Sequence, residues 1–214
     1  NPLSIDVSKI KKYSYENKVI ISTGRFDKQK GFENLIYAFE NVSKKFPDWK
    51  LKIVGDGKLR ENYLRIIEDC KINNIEIAPS STKIEDELSN ASIYVMTSRY
   101  EGYANALVEA VAFGLPSISY DWLTGVEEII SNEKNGLIVK LTNRKKYHDG
   151  IDNQIDITNL SNAIIKLISD KETCLNMSKY HKQVLENRNK EKIISEWEKL
   201  ITNHFGKERI WKML

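Results

Sequence analysis

Apolar residues in this chain fall into two alternating rhythms. Short β-branched runs are separated by longer stretches in which apolar residues recur every three or four positions. Val19-Ile20-Ile21 predicts a buried strand over 18–23, which enters the loop 24–30. Phe32, Leu35, Ile36, Phe39 and Val42 stand at helical spacing and predict an amphipathic helix over 31–46. A strand over 49–54 follows, closed by Gly55-Asp56-Gly57, then a helix over 59–70 and a short strand over 75–77. The same reading predicts a short helix over 85–90, a strand over 92–97, a helix over 105–113 and a strand over 116–120. A short helix over 126–130 and a strand over 136–139 complete the series. Strict strand–helix alternation implies an α/β fold, a doubly wound parallel sheet of about six strands with helices on both faces.

The pattern changes after Lys140. The stretch 142–153 is polar, with Arg144, Lys145, Lys146, His148, Asp149 and Gly150, and reads as a mobile surface loop. A helical tail follows over 154–214. Leu160, Ile164, Leu167 and Ile168 form one apolar face, and Ile193, Ile194, Trp197, Leu200, Ile201 and Phe205 form another. Core packing is the expected fate of the second stripe. The last eight residues, 207–214, are basic and aromatic and offer a contact with a membrane surface.

The whole chain of 214 residues reads as a single α/β domain with that helical tail. Its net charge of +3 argues against dedicated nucleic-acid binding. No run of 18 apolar residues is present, so no membrane-spanning helix is expected. The first residues, Asn1-Pro2-Leu3-Ser4, lack both Met and the apolar region of a signal peptide, and read as a point where a longer chain was cut. Cys70 and Cys174 are isolated and read as reduced, structural thiols of a cytoplasmic protein.

Chemistry concentrates in two loops. Ser98-Arg99-Tyr100-Glu101-Gly102-Tyr103-Ala104-Asn105-Ala106-Leu107-Val108-Glu109 follows a predicted strand and opens a helix. A helix N-terminus at the carboxyl end of a strand supplies N–H groups and a positive dipole end for an anion. Glu101 and Glu109 add two carboxylates, whose paired oxygens suit vicinal hydroxyls. The pattern is that of a nucleotide-sugar site. The second loop, Gly24-Arg25-Phe26-Asp27-Lys28-Gln29-Lys30-Gly31, also joins strand to helix. Gly24 allows close backbone approach, Arg25 offers a planar fork of donors and Lys30 a point charge. Two cations can neutralise a departing diphosphate without a metal. The plain alternative is that Arg25 and Lys30 are solvated, that Glu101 caps a helix and that Glu109 is an exposed helix residue. Competing motifs fail on spacing: Arg60 stands where a dinucleotide fingerprint after Gly55-Asp56-Gly57 needs its third glycine. His148, His181 and His204 are scattered, and no metal site is expected.

These motifs, in order over about residues 17–140, resemble the retaining glycosyltransferases of family 4, which have the B-type double-Rossmann architecture. The resemblance rests on Gly24-Arg25-x5-Gly31, Ile53-Val54-Gly55-Asp56-Gly57 and Ser98-x2-Glu101-Gly102 with Glu109. It continues through Gly114-Leu115-Pro116, Thr124-Gly125-x2-Glu128-Ile129-Ile130 and Asn135-Gly136-Leu137-Ile138-Val139. It implies that the chain is the Rossmann-like, C-terminal donor-binding half of a longer enzyme. Residues 1–16 would then be the linker from an acceptor half outside this chain. By motif position, Glu101 would contact the donor hexose, Glu109 the ribose hydroxyls, and Arg25 and Lys30 the diphosphate. Gly102, Tyr103, Ala104, Asn105 and Ala106 would line the phosphates and sugar with backbone N–H groups. Lys83 and Ile84 would meet the nucleobase.

The resemblance further implies a retaining, metal-independent hexosyl transfer with no cofactor, in which Glu101 positions the sugar and does not attack it. The acceptor would be a glycan or lipid-linked glycan. Relatives with an Asp-x2-Thr-Gly stretch, here Asp121 to Gly125, often build bacterial surface polysaccharide, which points to lipopolysaccharide or capsule assembly and a UDP-linked donor. The expected location is cytoplasmic, at the inner face of the plasma membrane. In relatives a C-terminal helix crosses back onto the acceptor half, which would leave part of the 193–205 stripe uncovered here. Two rivals stay open: a nucleotide-sugar epimerase or hydrolase of the same architecture, and a non-catalytic binding module. The donor reading expects residues 25, 30, 101 and 109 to share one pocket.

Overall fold

The computed structural model describes residues 6–122, 125–187 and 190–205. Six strands form one parallel sheet: β1 (Val19–Thr23), β2 (Lys50–Val54), β3 (Ile75–Ala78), β4 (Ile93–Met96), β5 (Ser117–Tyr120) and β6 (Gly136–Val139). Their order is β3-β2-β1-β4-β5-β6. The helices between and after them are α1 (Phe32–Lys45), α2 (Arg60–Asp69), α3 (Ile84–Ser89), α4 (Asn105–Ala112), α5 (Arg144–His148), α6 (Gln154–Ile168), α7 (Lys171–Ser178), α8 (His181–Asn187) and α9 (Lys190–Phe205).

The strands are apolar on both sides because both faces of the sheet are covered. Successive side chains point to opposite faces. Ile20, Leu51, Ile53, Ile93, Val95 and Ile118 therefore join the core beneath α1 and α6. Ile21, Val54, Tyr94 and Met96 join the core beneath α4, with Leu107, Val108 and Val111. The α1 stripe read from the sequence, Phe32, Leu35, Ile36, Phe39 and Val42, is buried throughout. Ahead of the sheet, Tyr13 donates to the Ser92 carbonyl at 3.0 Å and Tyr15 donates to the Ile168 carbonyl.

Two expectations are corrected. The polar stretch after Lys140 is not loop throughout: residues 144–148 form α5, capped by the Asn143 side chain, which accepts from Lys146 N, while 149–153 are turn and loop. The reason is Tyr147, buried among the charges and packed against Tyr120 at a ring distance of 5.0 Å. Most of the stripe on α9 is not core; Ile193 is half-buried, and the Phe205 side chain lies outside the described residues. Ile194, Trp197, Leu200 and Ile201 are exposed, Trp197 at 63%, whereas the α6 stripe is buried in full. Leu123, Thr124 and the basic segment 207–214 lie outside the described residues, as do the first five residues of the 1–16 stretch. No helix among the described residues is long and apolar enough to cross a membrane.

Both cysteines are free. Cys174 is buried, with its thiol donating to the Leu167 carbonyl at 3.2 Å, and burial pushes its pKa up to about 12.

Candidate functional site

β1 and β4 are neighbours at the centre of the sheet, yet the order runs outward to β2 from one and to β5 from the other. At such a switch point the loops leaving the carboxyl ends of the strands splay apart and open a crevice. The loop 24–31 after β1 and the loop 97–104 after β4 thus meet by topology.

One of their contacts is an ion pair. Lys30 Nζ lies 2.7 Å from Glu101 Oε1, with the two side chains only 14% and 9% exposed. Glycine makes that reach possible. The Lys30 stem crosses Gly24 so closely that a Cβ there would stand 2.9 Å from Lys30 Cε. Gly55 lets the β2 loop support the β1 loop, since a Cβ at Gly55 would overlap the Gly24 carbonyl oxygen. Gly24 N donates to Val54 O at 3.0 Å and Phe26 N donates to Asp56 O at 2.7 Å across that junction.

Arg25 is placed differently. Its side chain is 75% exposed, 3.4 Å from Asp27 Oδ2, and donates to Gln29 Oε1 at 3.2 Å. Gln29 in turn donates to the Tyr100 carbonyl at 2.9 Å.

Both glutamates lie within electrostatic reach of one hydroxyl. Tyr94 is buried in β4, its Oη 3.3 Å from Thr23 Oγ1. Burial raises its pKa well above the usual phenol range, and the charges of Glu101 and Glu109 push the same way. Glu109 is half-buried one turn into α4. That helix starts behind Ala104 with no side-chain cap and no acidic residue in its first turn. Its positive end is therefore not neutralised locally.

Two cavities flank the ion pair where one pocket was expected. A cleft of about 420 Å3 opens over β1, β2 and β3 and includes Gly24, Arg25 and Ile84, with Ser80 and Ser81. A pocket of about 120 Å3 includes Glu101, Gly102, Tyr103 and Ala104, with Trp122, Gly125 and Glu128. Lys30 is tied to the second through Glu101. Asn105, Ala106 and Glu109 stand on α4 and line neither cavity, and Lys83 is an exposed residue at the start of α3. His148 and His181 lie outside both cavities. Among the described residues no group of three or more His, Cys, Asp or Glu could hold a metal ion.

The family model described as glycosyl transferases group 1 matches residues 6–157. The chain belongs to this family. An uncharacterized glycosyltransferase of Haemophilus influenzae is 31% identical over 187 residues, 87% of this chain and 49% of that protein. The amylovoran biosynthesis glycosyltransferase AmsD of Erwinia amylovora is 37% identical over 115 residues, 53% of this chain and 32% of its own length. A solved structure of an S. aureus TarM variant in complex with fondaparinux, alpha-GlcNAc-glycerol and UDP has the same fold, with a TM-score of 0.76 and 24% identity, over 89% of this chain and 36% of that one. The chain thus spans about half the length of the Haemophilus relative. The family and fold read from the motifs are those found.

Arg99 and Tyr147 belong to no functional motif in the sequence, yet the fold buries both. Arg99 is a charged residue that is only 6% exposed, and Tyr147 is an aromatic in a run of charges and is 1% exposed. An apolar ring inside a polar stretch was the one available signal.

Proposed function

We propose that this chain is the donor half of a retaining, metal-independent hexosyltransferase. Its donor is a nucleoside diphosphate sugar, UDP-linked, and its acceptor is a glycan or glycolipid held by a half outside this chain. Surface-polysaccharide assembly at the cytoplasmic face of the membrane is the setting we assign, lipopolysaccharide or capsule in a bacterium. The observation that carries the reading is the Lys30–Glu101 pair at the switch point, which sets a cation and a hydroxyl-reading carboxylate 2.7 Å apart in a crevice.

We assign the roles by motif position. The nucleoside occupies the larger cleft, which Ile84 lines, and Lys83 and Glu109, both outside that lining, meet the base and the ribose hydroxyls from its edge. Lys30 and the α4 N-terminus take the diphosphate, and Arg25 closes over it from solvent. Glu101 accepts from hexose hydroxyls in the smaller pocket, with Gly102, Tyr103, Ala104, Asn105 and Ala106 around the sugar phosphate. In the transfer, the acceptor hydroxyl oxygen bonds the anomeric carbon as the bond from that carbon to the phosphate oxygen breaks. The departing phosphate takes the hydroxyl proton, and both events occur on one face of the sugar. Lys30 and Arg25 stabilise the charge that develops on the leaving group.

Calorimetry of the chain with UDP, GDP and ADP tests the reading. UDP should bind most tightly, and Glu109→Ala should weaken it by about 1–3 kcal/mol because ribose hydroxyls lose their acceptor. UDP binding unchanged by Glu109→Ala removes that residue from the site, and no binding of any of the three refutes the donor half.

A further inference from the structure

We infer that Arg99 and Tyr147 are positioning residues for the diphosphate end of the donor site, acting through the backbone that carries Lys30 and Glu101; this rests on the donor-binding reading above.

Arg99 stands two residues before Glu101 and is almost wholly buried. Its backbone N donates to Gln29 O at 2.7 Å, and its Nε donates to Lys28 O at 2.9 Å. Both carbonyls precede Lys30 in the facing loop. The other side of the guanidinium binds the segment after β6: one nitrogen donates to Tyr147 O at 3.1 Å and another lies 2.7 Å from Asp152 Oδ1. The guanidinium carbon stands 4.7 Å from the Tyr147 ring centre.

Tyr147 completes the link. Its hydroxyl donates to Thr97 O at 2.5 Å, and Thr97 Oγ1 donates to Lys30 O at 2.9 Å. Gly31 is required by the same approach, since a Cβ there would come within 2.5 Å of the Thr97 carbonyl oxygen and 2.7 Å of the Tyr147 hydroxyl. Asn34 on α1 donates to Asp152 Oδ1 at 2.8 Å and to the Tyr147 hydroxyl at 3.3 Å, which fastens the assembly to a buried helix.

The carbonyls of residues 28, 29 and 30 are thus each held from the β4 loop. A flexible lysine amine is placed well only if its backbone is fixed, and displacement by about an ångström is enough to lose catalytic geometry. Arginine suits the task because its planar fork satisfies several acceptors at once, which a lysine cannot do.

The test compares UDP with uridine, so that the diphosphate is the only difference between ligands. The wild-type chain, Tyr147→Phe and Arg99→Lys are titrated with each by calorimetry, with thermal melts alongside. Tyr147→Phe keeps the ring and removes one hydroxyl, so it decides the matter if Arg99→Lys fails to fold. The expected result is a loss of about tenfold in UDP affinity with uridine affinity held within about twofold. A Tyr147→Phe variant that retains the full preference for UDP overturns the inference and leaves the donor reading standing. Equal losses for both ligands also overturn it, since they report general loosening of the fold. A wild-type chain that binds UDP no better than uridine overturns the donor reading and this inference together.

Discussion

Arg25 and Lys30 leave one loop five residues apart, and the loop delivers them to opposite environments. Lys30 turns inward across Gly24 and ends against Glu101, in a setting nearly closed to water. Arg25 turns outward and keeps three quarters of its side chain in solvent, held loosely by Asp27 and Gln29. A charge at the surface is screened, and its ion pair contributes little. A charge taken out of water demands a partner, and removing that partner strands the other ion. Two cations that sequence treats alike are therefore a nearly buried ion-pair member, in Lys30, and a solvent-exposed guanidinium with only surface partners, in Arg25.

The largest expected effect breaks or keeps that contrast directly. Lys30→Ala should lower the unfolding free energy by about 2–4 kcal/mol, because Glu101 is left charged and nearly buried. Arg25→Ala should change it by less than about 0.5 kcal/mol. Urea denaturation of the two variants measures both. Equal losses would show that burial does not distinguish the two cations.

A smaller effect sharpens the same point. In a double-mutant cycle, Lys30→Ala and Glu101→Ala should couple by about 1–3 kcal/mol, the range for residues in direct contact. Arg25→Ala with Asp27→Ala should couple by less than about 0.5 kcal/mol at physiological salt. Coupling energies that match would mean that the short Lys30–Glu101 distance reflects geometry without energy.

The contrast also marks what could be read in advance. Strands were legible because burial on both faces leaves an unbroken apolar run, as in Ile20-Ile21 and Ile93–Met96. Strand–helix alternation implies a parallel sheet but not its order, and the meeting of loops 24–31 and 97–104 follows from the observed order. Periodicity names a face but not its partner, which is why α6 and α9 look equivalent in sequence. Leu160 and Ile164 are buried on a helix that packs against α1, β5 and β6, whereas Trp197 and Leu200 lie open. The direction of a long side chain is equally invisible, so Arg25 and Lys30 were assigned one role. Arg99 and Tyr147 escaped notice because their importance arises from three segments distant in sequence, 28–30, 97–99 and 147–152, which meet only in the fold.

The smallest expected effect is a pH dependence on the buried side of the comparison. Glu33 lies in the first turn of α1, within electrostatic reach of Arg99 and Asp152. Burial raises its pKa above the ordinary 4.5, against the pull of its own backbone N–H and of Arg99. Its Oε2 is buried and has no hydrogen-bond donor among the described residues. The folded state consequently binds the Glu33 proton more tightly than the unfolded chain does. Between 4.5 and the raised native value, the contribution of this group to stability grows as pH falls and is lost as pH rises. At neutral pH the half-buried carboxylate is charged and opposes folding. Glu33→Gln carries no charge at any pH and keeps the shape. The variant should melt above the wild-type chain at pH near 7, and the gap should shrink as the solution is acidified toward about 5. Melting curves of both proteins across that range measure it. A gap independent of pH, or a Gln variant that melts lower at neutral pH, would mean that Arg99 already compensates the Glu33 charge, and the buried side of the comparison would then be balanced internally as well as against Glu101.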